Sequence, residues 1–106
     1  MTRKLPREEL YGLTSQMRRS AVSIPANIAE GHQRPTRAYC HFLRIALGSL
    51  AELETHCEVA GRLDLLSPTE VHGIVASTAT VRRLLHGLRR SLRRRLAIDP
   101  GASPAE

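Results

Sequence analysis

With 106 residues, 42% of them hydrophobic, the chain has room for one domain with one core and is too apolar to be wholly disordered. Only Tyr11, Tyr39 and Phe42 are aromatic, so the core must be built from Leu, Ile, Val and Ala, which favours interlocking helices over a sheet. The formal net charge of +6 is uneven: residues 1–81 hold nine Lys and Arg against eight acids, and residues 82–106 hold seven Arg against two.

The start, Met1-Thr2-Arg3-Lys4-Leu5-Pro6, has no apolar stretch behind its basic residues. Nowhere does an apolar run approach the ~18 residues of a membrane span. The expectation is a cytoplasmic protein without a membrane partner. Breaks fall at Pro6, Gly31 to Pro35, Gly61 to Pro68, and from Asp99 onward, leaving three long segments.

The first segment, residues 7–31, opens with Glu8 and Glu9, acids suited to a helix N-terminus, and sets Leu10, Leu13, Met17, Ala21, Ile24 and Ile28 in one stripe. Pro25 interrupts the stripe and cannot donate to the Ala21 carbonyl, which predicts a kink or local break. Gly31 ends the segment.

The second, residues 36–63, starts at Thr36, a suitable cap after Pro35. Tyr39, Phe42, Ala46, Ser49, Leu53, Ala60 and Leu63 form one heptad seam. Leu43, Leu47 and Leu50 widen the apolar arc beyond that seam and predict a second contact, read as an oligomer interface. Gly48 and Ser49 in mid-helix predict close approach of another helix.

The third, residues 67–96, begins Ser67-Pro68-Thr69-Glu70: Ser67 caps, Pro68 takes the first helical position and Glu70 completes a capping box. Val71, Ile74, Thr78, Val81, Leu85, Leu88 and Leu92 then alternate spacings of three and four. At ~100° per residue, Arg82, His86, Arg89 and Arg93 cluster on one face, with Arg83, Arg90 and Arg94 beside them and away from the leucines. Short loops between long helices predict an all-α, antiparallel up-and-down bundle, with Leu13, Met17, Phe42, Leu53, Val81, Leu85 and Leu88 buried. Residues 1–98 form the domain and 99–106 a flexible tail.

Catalytic and metal chemistry finds little support. None of the five histidines has Glu three residues before it, so the Glu-x-x-His ligand pairs of a di-iron bundle are missing. Cys40-His41 and His56-Cys57 are adjacent, and adjacent helical residues diverge by ~100°, too far to grip one ion easily. Cys40 and Cys57, on one helix, stand roughly 25 Å apart, which rules out an intrachain disulfide. Glu30 and His32 flank Gly31 without any phosphate loop or nucleophile motif. The expectation is no enzyme, no cofactor and no metal.

Three stretches, Leu10 to Gln16 (LYGLTSQ), Ser20 to Gly31 (SAVSIPANIAEG) and Ala46 to Glu54 (ALGSLAELE), resemble the signature of the rRNA intervening-sequence protein family. The resemblance covers residues 1–96 and implies an antiparallel four-helix bundle assembling as a homopentamer. Relatives include the accessory variability determinant of diversity-generating retroelements, a basic protein that binds nucleic acid and a reverse transcriptase. The chain departs from that pattern because Thr2 to Pro6 resembles the end of the family's first helix, leaving three helices. Either the start lies further upstream, or a neighbouring subunit fills the groove.

Two functions remain open at this stage. In one, the protein is a nucleic-acid-binding accessory factor, with or without a reverse transcriptase, whose Arg82, Arg83, Arg89, Arg90, Arg93 and Arg94 contact DNA or RNA phosphates without reading sequence. In the other it is a structural or protein-interaction bundle whose arginines form a solvated face.

Overall fold

The computed structural model describes residues 7–102. Within them the chain forms three helices, α1 (Arg7–His32), α2 (Thr36–Arg62) and α3 (Pro68–Ile98), and no strand. No helix among the described residues is long and apolar enough to cross a membrane.

Local chemistry explains the other boundaries better than the start of α2. α1 begins with Glu8 and Glu9 in its first turn, whose negative charges complement the positive end of the helix dipole. It runs through Pro25 without interruption. The carbonyl of Ala21 loses its usual donor there, but Ala21 is exposed and water can serve it. α2 ends in a turn in which the Leu65 and Leu66 amides both donate to the Ala60 carbonyl, with Asp64 at φ 59°. Asp tolerates this left-handed conformation better than most residues with a side chain. α3 opens on the capping box: the Glu70 amide donates to Ser67 Oγ at 3.1 Å and the Ser67 amide to Glu70 Oε1 at 2.9 Å. The backbone hydrogen bond from Ser67 holds the Glu70 carboxyl below its ordinary pKa.

The start of α2 departs from expectation. Its N-cap is Pro35, Thr36 is already helical, and no side chain caps the end. The Thr36 amide instead donates to the Ala102 carbonyl at 3.1 Å. Ala102 is delivered by a turn in which its own amide donates to the Asp99 carbonyl and the Gly101 amide to Asp99 Oδ1. Part of the segment expected to be a flexible tail therefore docks: Ala102 is buried and covers the first turn of α2.

α2 lies between its neighbours. Along α1 and α2, Ser23 Oγ and Ser49 Oγ are 2.8 Å apart, and a Cβ on Gly31 would stand 2.6 Å from Phe42 Cβ. Along α2 and α3, Glu54 meets Thr78 and Arg82, while a Cβ on Gly61 would stand 2.8 Å from Val71. In both pairs, residue numbers fall on one helix as they rise on the other. No Cα of α1 comes within 8 Å of one in α3. The radius of gyration of 17.0 Å exceeds the ~13 Å of a compact domain of this size, as befits a rod 57 × 23 × 15 Å.

The core runs along the middle of that rod: Tyr39, Cys40, Leu43 and Ala46 of α2 with Leu85 and Leu92 of α3, flanked by Ile28, Leu47, Val81, Leu88 and Leu96. Of the seven side chains expected to be buried, Leu85 is, whereas Leu13, Met17, Phe42, Leu53, Val81 and Leu88 are only half-buried. The separation of α1 from α3 accounts for part of this difference. It leaves a groove of about 260 Å³ whose lining includes Ile24, Leu50, Leu53 and Val81. Gly48 also differs from expectation, because a Cβ there would meet nothing within 4 Å. The close approach occurs one residue later, at Ser49.

Candidate nucleic-acid interface

The leucine seam of α3 turns toward α2 and fixes where its arginines stand. Arg83, Arg90, Arg93 and Arg94 are exposed, and Arg82 and Arg89 are half-buried. Arg82 pairs with Glu54, whose second carboxylate oxygen accepts the Thr78 hydroxyl at 2.7 Å. The Glu54 side chain is only 22% exposed, so Arg82 balances a partly desolvated carboxylate and ties two helices together. The sequence assigned this residue to phosphate contact; the structure commits it to an internal ion pair.

Arg83 makes only a long bond, 3.3 Å, to Thr80 Oγ1. Arg89 keeps its Nε away from water with no hydrogen-bond partner. Arg90, Arg93 and Arg94 meet no carboxylate among the described residues. An exposed guanidinium without a counter-ion presents a rigid fork of donors that matches phosphate geometry.

The three leucines expected at an oligomer interface lie elsewhere. Leu43 and Leu50 have no exposed surface, and Leu47 packs beside the same core. The wide apolar arc of α2 arises because one helix faces two neighbours, α1 and α3, within the chain.

The cysteines and the Glu30–His32 pair are placed by the packing. Cys40 and Cys57 are both buried, and desolvation, followed by the charge of Glu58, pushes the Cys57 thiol upward, away from the thiolate that nucleophilic chemistry needs. Glu30 pairs with Arg34 at 2.5 Å rather than with His32.

The fold concentrates charge more strongly than α3 alone. Residues 21–47 and 82–102 share one end of the rod and carry ten arginines and two carboxylates, Glu30 and Asp99, with Arg82 also paired to Glu54 beyond them. Residues 7–20 and 48–81, at the other end, carry four arginines and seven carboxylates. Arg37 and Arg44, both exposed on α2, belong to the basic end. Reading α3 by itself missed them, because their nearness to its arginines depends on how α2 and α3 pair.

The chain matches the family described as 23S rRNA-intervening sequence protein over residues 1–87. It belongs to that family. The matched segment includes Ser23, Gly31, Ser49 and Glu54, the residues that join α2 to its neighbours. It stops at Gly87, so Arg89, Arg90, Arg93 and Arg94 lie beyond what the family match covers. No curated protein matches the chain.

Proposed function

We propose that this member of the 23S rRNA-intervening sequence protein family is a non-enzymatic, oligomeric, cytoplasmic bundle that binds nucleic acid through the basic end of its rod. The arrangement is antiparallel, as the helix pairings support, and of the four-helix-bundle type. The homopentamer is what the family resemblance implies, as is service as an accessory factor in a retroelement or rRNA intervening-sequence context, with a reverse transcriptase as one partner.

The observation that carries the nucleic-acid reading is the set of Arg83, Arg90, Arg93 and Arg94, exposed from the middle to the end of α3 with no carboxylate to neutralise them among the described residues. Such a surface recognises the backbone, so affinity for unrelated DNA and RNA sequences is similar and falls steeply with salt. The test is fluorescence anisotropy with labelled DNA and RNA across a salt series. Replacing Arg90, Arg93 and Arg94 with Gln should lower the log-log salt slope by about 0.9 for each duplex phosphate that is no longer neutralised, while circular dichroism stays unchanged. Absence of binding by the unaltered protein at low salt would overturn the reading.

A further inference from the structure

Two helices, rather than one, border the unbalanced charge. Because Arg82 meets Glu54, Arg89 and Arg93, seven and eleven residues further on, come level with Leu47 and Leu43 of α2. Arg82, Arg89 and Arg93 point within about 40° of one another at ~100° per residue, so the direction that meets Glu54 is also theirs. They stand on the edge of α3 that borders α2.

On α2 the corresponding edge is basic. Arg44 lies about 80° around the helix from Glu54, and about 140° or more from Ser49 and Phe42, which face α1. Arg37 follows two turns away, roughly 10 Å along the axis. Both are exposed, and neither has a carboxylate within ion-pair distance among the described residues. On the facing edge of α3, Arg89 is half-buried, with its Nε lacking any hydrogen-bond partner. A guanidinium drawn partly out of water without a counter-ion is stabilised by an anion arriving from outside.

We propose that Arg37 and Arg44 of α2, together with Arg89 and Arg93 of α3, form one phosphate-binding strip along the α2–α3 seam, and that its ligand is the backbone of a nucleic-acid duplex. This rests on the nucleic-acid reading above and adds residues that the α3 sequence alone does not contain. A duplex fits better than a single strand because the exposed His86 offers the strip one small ring, too little to stack successive bases. Tyr39 is buried, Phe42 is half-buried with Arg34 over its ring, and the exposed Tyr11 stands toward the opposite end of the rod.

The test compares three charge-altering pairs in the full chain, using a short mixed-sequence duplex, the matching single strand and poly-glutamate as probes. Arg37→Gln with Arg44→Gln should lower the duplex salt slope by roughly 0.9 per phosphate released. Arg18→Gln with Arg19→Gln, exposed on α1 and removing the same charge, should leave it unchanged. Arg37→Lys with Arg44→Lys should restore most of the binding. Equal losses in both Gln pairs would reduce the effect to net charge, and no loss in the α2 pair would confine binding to α3; either outcome overturns the strip. Tighter binding of the single strand, or equal competition by poly-glutamate, overturns the duplex as ligand. Failure of the unaltered protein to bind any nucleic acid would instead remove the reading on which the strip rests.

Discussion

α2 is held to its two neighbours by different means. Against α1 it sets Ser49 beside Ser23, and Tyr39 and Phe42 against Gly31, so small side chains bring backbones close together. Against α3 it sets apolar layers, with Leu43, Leu85 and Leu92 in one cluster, and lets Glu54 reach Thr78 and Arg82. A seam of small residues has no volume to spare, whereas a seam bridged by long side chains can adjust through rotamers. The two sides should therefore differ in which substitutions they tolerate.

Removing volume should hurt most at the centre of the layered seam. Leu43→Ala empties a site with no exposed surface and should cost about 2–5 kcal/mol, measured by urea denaturation. Adding volume should hurt on the other side: Gly31→Ala would place a Cβ 2.6 Å from Phe42 Cβ and should cost about 1–3 kcal/mol. A neutral Gly31→Ala would show that α1 can retreat, and would end the contrast between the seams.

Smaller effects sharpen the comparison outside both seams. Ser67→Ala breaks the capping box and should cost about 1 kcal/mol, since the α3 start loses its side-chain acceptor. Because Glu70 titrates below its ordinary range in the folded chain, its contribution is present above the unfolded pKa and disappears as pH falls through the folded one. The stability gap between Glu70→Ala, which removes the acceptor of the Ser67 amide, and the unaltered protein should accordingly narrow in acid. Gly48→Ala carries the opposite sign. A Cβ there meets nothing, so the change should stabilise α2 by up to about 1 kcal/mol through helix propensity. If it instead destabilises or dissociates the protein in sedimentation, the outer face of α2 is an interface between copies.

The helices were legible in the sequence because their signals are local. Ser67, Pro68 and Glu70 sit within one turn, and the three-four spacing of Val71 to Leu92 repeats along one stretch of chain. Of the small residues in the α1–α2 seam, Ser49 was legible as a close approach, whereas Gly31 was read only as a helix end, and Gly48, read in the same way as Ser49, faces open space. Adjacent residues on a helix diverge by ~100°, so a pair of small residues cannot both face one neighbour.

The sequence by itself determined three helices, the capping box of α3 and the excess of arginine near the C-terminus, since propensity, capping and charge act over a few residues. Tertiary structure decided how those pieces are used. Leu43 and Leu50 became core because α2 has a neighbour on each of two sides, and Arg82 found Glu54 across the α2–α3 seam. Ala102 reached the amide of Thr36, distant in sequence, and turned part of an expected tail into a helix cap. Arg37 and Arg44 joined the basic end only when α2 and α3 paired. Each of these depends on contacts between residues far apart along the chain, which no local pattern encodes.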